Sequence, residues 1–424
     1  MHKEVNKMKK LLALLLCICL LAAVGCGSAD EALNEAAGSA AQELVAEASA
    51  EVPVEEEAVA EEATASDTAE TNASESLVKP IGYGAGVALY PADTVVATFN
   101  GVDITWAEYY YWLYREYENM QYIYSYYSLG EMIDWSDTNL YYYYTTGGFY
   151  DNEYVISYSA MSDMLEVHSY MEAAKAAGLE ITDEDLESRI EVMFDSNYGD
   201  GDGVLSDTER ADVEAMIAES GVTWEDYSKI YYTYYMGEDF CNAVREEISE
   251  EDALAWANEN GYMAAKHILL LTVDTSTGDA LDDETVAAAE QTAADLYAEL
   301  SAIEDTDELI ARFDELMAEY SEDPGSTSYP EGYFFTSGEM VDEFETAVAA
   351  LDEQYGLSEP VLSSYGWHVI LRCPLNAEMI NTSGYTAADL YASQVQVDRV
   401  TEATADMSFE WQNDFNNLDL SQVF

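Results

Sequence analysis

The sequence predicts a multidomain protein in which a mainly α region is followed by a compact α+β unit. Two observations carry this. Between residues 105 and 247, helix-start signals and helical apolar spacing recur with few β-type runs. From residue 265 to residue 372, short aliphatic runs alternate with helical stretches, the pattern of an α+β layer. A chain of 424 residues leaves room for two or three domains.

The first 25 residues read as a targeting segment. Lys9 and Lys10 precede an apolar run over residues 11–21, too short for a stable spanning helix. Ala23-Val24-Gly25-Cys26 resembles the lipobox of bacterial lipoproteins, with Ala23 where leucine is usual. The resemblance implies lipidation at Cys26 and attachment to the outer face of the cell membrane. An ordinary signal peptide cut nearby is the alternative. Residues 26–92 are Ala, Glu, Ser and Thr with almost no aromatics, as in Val54-Glu55-Glu56-Glu57-Ala58. Such a stretch buries too little apolar surface to offset its ordering entropy, and its charges extend it. It reads as an acidic disordered linker.

The helical region spans residues 93–257. A strand is expected over residues 94–99, a turn at Asn100-Gly101, and a helix from Trp106 capped by Thr105 with Glu108 behind it. Helices follow over residues 159–177, 183–194, 207–219 and 224–247, with Thr182 and Thr223 as caps. Tyrosines crowd this region at Tyr109, Tyr110, Tyr111, Tyr114 and Tyr117, then over residues 122–127 and 141–144. They read either as a client-binding surface or as core positions filled by Tyr instead of Phe and Leu; the chain has 34 Tyr and 11 Phe. In the loop after residue 194, Gly203 as the sixth position of a calcium loop places Asp200, Asp202 and Glu209 at its third, fifth and twelfth. Tyr198 then stands first, where a carboxylate is required, so an acidic Gly-rich turn is the competing reading.

The second unit spans residues 258–375: a strand over 266–272, amphipathic helices over 283–303 and 307–320, then short strands and a helix to Arg372. Residues 376–424 read as a helical tail with Trp411 and Phe415 on one side.

Composition excludes several functions. With 85 acidic and 15 basic side chains, a formal charge of −70, the surface repels nucleic acid and anionic headgroups and attracts cationic clients. Cys17 and Cys19 fall in the targeting segment, so Cys241 and Cys373 cannot build a disulfide scaffold or a cysteine-rich metal site. No third ligand accompanies His267 and His368 at zinc spacing.

Lys266-His267-Ile268-Leu269, Tyr320-Ser321-Glu322-Asp323, Gly338-Glu339-Met340-Val341-Asp342-Glu343-Phe344-Glu345, Ser358-Glu359-Pro360-Val361 and Tyr365-Gly366-Trp367-His368-Val369-Ile370 occur in this order. In them the chain resembles the parvulin family of peptidyl-prolyl cis-trans isomerases. The resemblance implies a four-stranded antiparallel sheet with surrounding helices, and catalysis of rotation about X-Pro bonds without cofactor or metal. It implies that Met340 and Phe344 line the prolyl pocket. It implies that His267, Asp323, Ser363 and His368 form a polar network beneath it, the two histidines meeting on adjacent strands. Met340 and Phe344, four apart, are expected on one side of a helix. The family's Gly-Gly-Asp-Leu-Gly turn is replaced by Tyr329-Pro330-Glu331-Gly332-Tyr333, which leaves Tyr333 as the nearest candidate for its substrate-binding apolar residue. Thr272-Val273-Asp274-Thr275 stands where phosphate-specific members carry basic residues, which argues against phosphoserine-proline recognition.

The flanks, Val95-Val96-Ala97-Thr98-Phe99-Asn100-Gly101 and residues 176–186, resemble the chaperone part of PrsA-type foldase lipoproteins and SurA-type chaperones. That resemblance implies that residues 376–424 pack on residues 93–257. It implies partners that are unfolded exported polypeptides with X-Pro bonds, together with the membrane reached through the lipid anchor; it leaves a homodimer open. Two other functions compete. One is a holdase whose parvulin unit only binds. The other is a solute-binding lipoprotein, which would need two doubly wound lobes that the helical first half does not offer.

Overall fold

The computed structural model describes residues 85–126, 135, 150–199, 201–219, 223–352, 355–412 and 415–424. The targeting segment, Cys26, the tyrosines at 141–144 and Asp200 lie outside these residues. No helix among the described residues is long and apolar enough to cross a membrane. The chain divides into two compact units: residues up to Phe240 with Val397–Phe424, and Cys241–Gln396.

In the first unit, β1 (Val95–Phe99) and β2 (Val102–Thr105) form an antiparallel hairpin. Asn100 and Gly101 close it, both at positive φ (50° and 76°), as a two-residue primed turn requires. The other edge of β1 pairs with β7 (Phe409–Trp411), giving the order β2-β1-β7. This corrects the helical reading of the tail. Only Ala387–Thr404 is long helix, and a three-residue strand is too short to show an alternation in sequence.

Helix α1 (Trp106–Tyr126) starts at Thr105, whose Oγ1 accepts the Glu108 N–H at 3.4 Å. Its first side chain, Trp106, is fully buried and donates from Nε1 to the Val87 carbonyl at 2.8 Å. Packed structure therefore begins before the expected boundary at residue 93. Helix α2 (Asn152–Ala176) begins seven residues earlier than the apolar spacing indicated, capped by Asp151, which accepts the Tyr154 N–H. His168 on α2 meets Glu108 on α1 at 2.6 Å. Helices α3 (Asp183–Tyr198), α4 (Asp207–Glu219) and α5 (Trp224–Glu247) follow, and Thr182 and Thr223 cap α3 and α5 as expected. Between α3 and α4, the buried Asp195 carboxylate accepts N–H groups from Gly201 at 3.3 Å and Gly203 at 2.6 Å.

Tyrosine fills much of this core. Tyr109, Tyr110 and Tyr227 are buried, and Phe424 stacks on Tyr117 at 4.3 Å. Tyr122 is 67% exposed, and Tyr154 and Tyr198 are exposed as well. At the buried positions the ring packs as Phe would, which favours the core reading for the first tract.

The second unit begins with the end of α5 and α6 (Glu250–Glu259). Its sheet has the order β4-β3-β6-β5, from β3 (Met263–Leu271), β4 (Tyr333–Phe335), β5 (Val361–Leu362) and β6 (Gly366–Cys373), every pair antiparallel. Period-two alternation sorts the two faces. Ile268, Leu270, Val369 and Leu371 pack against α7 (Asp283–Leu300) and α8 (Thr306–Tyr320). Ala265 and Ile370 pack beneath α9 (Asp342–Ala350) through Phe344 and Val348. Helix α6 and the start of α10 (Ala387–Thr404) enclose a smaller core with Phe334 and Cys373. Gly366 has no tolerable substitute, since a Cβ there would lie 2.1 Å from the Leu270 carbonyl oxygen. Neither Cys241 nor Cys373 is in a disulfide, and both are buried.

Candidate active site

The β3–β6 register places His267 opposite Ile370, and Leu269 opposite His368. His267 and Leu269 share a face, so the two histidines are diagonal neighbours on the face that α9 covers. Their rings meet Nδ1 to Nδ1 at 3.1 Å. Beyond His267, its Nε2 reaches Asp323 Oδ2 at 3.0 Å; beyond His368, its Nε2 reaches Ser363 Oγ at 2.7 Å. All four polar residues expected from the sequence therefore lie in one hydrogen-bonded line.

Local structure holds both ends. After α8, Ser321 accepts the Leu269 N–H at 3.1 Å, which ties the loop to the middle of β3. Asp323 then caps a short 3-10 turn (Pro324–Thr327), its Oδ1 accepting the Gly325 N–H at 3.1 Å. At the other end Ser363 Oγ accepts the Tyr365 N–H at 3.1 Å within the turn from β5 into β6. With both imidazoles neutral, one proton order satisfies every partner. Ser363 donates to His368 Nε2, His368 donates from Nδ1 to His267 Nδ1, and His267 donates from Nε2 to Asp323.

The electrostatics fit this order. Burial alone would raise the Asp323 carboxyl, but donors from His267, Tyr333 and Gly325 outweigh it and hold it below the usual carboxylate value. Burial, reinforced by His267 and opposed by Asp323, pushes His368 down to about 3. His368 is thus an uncharged hydrogen-bonding group at neutral pH.

Phe344 forms the apolar side. It is 2% exposed, projects from the first turn of α9 and lies edge-on to both imidazoles, at 5.2 Å from His267 and 5.6 Å from His368. Arg372 on β6 anchors the far end of α9 by donating to the Val348 and Leu351 carbonyls at 3.1 and 3.0 Å. Met340 packs on the same core but is not helical, because α9 starts at Asp342 with Val341 as its cap. The expectation of one helical face for Met340 and Phe344 is therefore corrected. Glu345 brings Met340 there instead: one carboxylate oxygen accepts N–H groups from Gly338 at 2.8 Å and Met340 at 2.9 Å. Sequence reasoning missed Glu345 as a positioning residue, although it closes the conspicuous Phe344-Glu345 pair.

Tyr333 does not stand as a simple apolar wall. It lies on β4 beside Tyr329 and edge-on to His267, and its hydroxyl donates to Asp323 Oδ2 at 2.8 Å. Its phenol is pushed up by burial and by Asp323, so it remains a donor.

Residues 267–373 match the family model for the rotamase, or PPIC-type PPIASE, domain. The chain is 29% identical over 221 residues to the foldase protein PrsA of Halalkalibacterium halodurans, covering 50% of this chain and 56% of that protein. Over 107 residues it is 35% identical to the chaperone SurA of Alkalilimnicola ehrlichii, covering 25% of this chain and 21% of that one. A crystal structure of PrsA from Bacillus cereus aligns with 21% identity and a TM-score of 0.25, over 61% of this chain and 83% of that chain. The chain spans about half the length of the PrsA proteins it matches. The family model and the sequence relatives bear out the resemblance read from the sequence: the chain carries a PPIC-type parvulin domain, the domain of peptidyl-prolyl cis-trans isomerases, and is PrsA-like.

Proposed function

We propose that this protein is a peptidyl-prolyl cis-trans isomerase and chaperone that assists the folding of exported polypeptides from the outer face of a membrane. Cys26 is its lipid anchor and residues 26–92 are the spacer. The helical part, residues 93–257 with 376–424, is the chaperone portion. The observation that carries the enzymatic reading is the line Asp323–His267–His368–Ser363 directly beneath Phe344, in a rotamase-type domain.

Rotation about a peptide bond meets a barrier of about 18–20 kcal/mol because the planar amide is resonance-stabilised. No covalent bond is broken, so the catalyst need only bind the twisted amide better than either planar form. Phe344 and Met340 grip the prolyl ring and exclude water. Excluding water favours the twisted amide, whose carbonyl has lost resonance and charge separation. The neutral His368 imidazole and its hydrogen-bonded line present a fixed polar floor, and fixed dipoles require no reorganisation as the amide twists.

The test is proline isomerisation of a short peptide by the full chain, followed by NMR exchange without a coupling protease. The wild type is compared with Phe344→Leu and Met340→Ala. Acceleration that falls at least tenfold in both variants supports the reading. A folded wild type that accelerates nothing would leave a holdase whose parvulin domain only binds.

A further inference from the structure

Tyr333 entered as a candidate pocket wall, yet its hydroxyl faces the polar line. Asp323 Oδ2 accepts two hydrogens, one from His267 Nε2 at 3.0 Å and one from Tyr333 at 2.8 Å. The phenol–carboxylate bond is the shorter, as expected for an O–H donor on an ionised acceptor. The loop is shaped to admit that hydroxyl. A Cβ at Gly325 would sit 1.8 Å from the Tyr333 oxygen and 2.9 Å from its Cζ, so only glycine leaves the space. Gly325 also donates its N–H to Asp323 Oδ1 at 3.1 Å. Three donors from three places thus converge on one carboxylate: β3, β4 and the 3-10 turn. His267 passes the result to His368 through the Nδ1 contact. The other nearby carboxylate, Glu322, turns away to accept the Leu271 N–H at 2.7 Å, and Lys266 is engaged with Asp314.

We propose that Tyr333 is a positioning residue for the isomerase site: by donating to Asp323 it aims that carboxylate at His267, and so fixes which nitrogen of each histidine carries the hydrogen. The proposal rests on the isomerase reading for its kinetic consequence only. Gly325 occupies Oδ1 while Tyr333 shares Oδ2 with His267, so the carboxylate is held with Oδ2 facing His267 as one fixed acceptor. Without the phenol, the carboxylate turns between His267 and water, and the tautomers of both rings mix.

The experiment is imidazole 15N spectroscopy of the full chain at pH 8, where an ordinary histidine is neutral. Four histidines keep the spectrum simple. The wild type should show hydrogen on Nε2 of His267 and on Nδ1 of His368. Tyr333→Phe keeps the ring and removes the donor. It should move the nitrogen signals of both histidines towards averaged values and lower kcat by about three- to tenfold, with KM within about twofold. Gly325→Ala, which pushes the hydroxyl aside, should reproduce both changes, and the double variant should add little to either single one. Wild-type nitrogen signals in Tyr333→Phe would overturn the proposal whatever the rate does. A rise in KM with kcat and tautomers unchanged would return Tyr333 to the role of a wall. If no isomerisation is found even in the wild type but the signals still move, the isomerase reading falls and the coupling stands.

Discussion

His267 and His368 face each other through Nδ1 atoms 3.1 Å apart, so only one of the two facing nitrogens carries a hydrogen. Protonating His368 adds a second hydrogen to that contact or removes the acceptor that Ser363 uses. Burial holds the ring neutral and His267 adds to it, which makes the pH behaviour of the domain predictable.

The folded-state value of His368 lies near 3, below the ordinary 6.5. For a depressed group, stability is fully present above the unfolded value and is lost as pH falls towards the folded one. Between pH 7 and pH 5 this linkage removes about 2 kcal/mol, since each pH unit below 6.5 costs about 1.4 kcal/mol. Asp323 is also depressed, but its window opens only below its ordinary 3.8. Urea unfolding followed at the β6 amides should therefore show a loss in the wild type over pH 7 to 5. The difference between wild type and His368→Gln isolates the contribution of the ring.

Phe344 is a stability residue as well as a pocket residue. Truncation to Ala leaves a cavity between α9 and the sheet and should destabilise the second unit by about 3–5 kcal/mol. Phe344→Leu should cost less than half of that while still losing activity. Melting of the two variants beside peptide isomerisation separates the effects.

Glu345 should act through the turn that carries Met340. Glu345→Ala leaves the Gly338 and Met340 N–H groups without their acceptor, a loss of about 1–3 kcal/mol. The kinetic signature should be a raised KM with a smaller change in kcat. Amide exchange over residues 336–341 should accelerate in the same variant, and Glu345→Gln should recover part of both.

Gly366→Ala should be the most damaging single methyl in the domain. Its Cβ would meet the Leu270 carbonyl at 2.1 Å, at the end of the β3–β6 pairing where Gly366 opposes Leu271. A loss of more than about 3 kcal/mol is expected. Retention of the wild-type melting temperature would show that the strand shifts to make room.

Much of this architecture is legible in the sequence because local chemistry carries it. Thr105, Thr182 and Thr223 announce helix starts through oxygen acceptors three residues ahead of otherwise unsatisfied N–H groups. His267 and His368 sit in aliphatic runs whose alternation fixes their shared face once the strands pair. The remainder depends on contacts distant in sequence. Met340 reaches the pocket through a Glu345 carboxylate rather than helical spacing. Tyr333 finds Asp323 only because Gly325 lacks a side chain. The strand at 409–411 is made by the free edge of β1, and nothing in Phe409-Glu410-Trp411 specifies that partner.

That strand has a consequence for the order in which the molecule is completed. The unit Cys241–Gln396 is one unbroken stretch of chain. The unit around it is split, and β1 acquires its second neighbour only from residues 409–411. In a protein delivered from its N-terminus, the inserted unit can close while the helical unit still has an open sheet edge. The helical unit then becomes whole last, so the earliest-made residues wait longest for their final partner.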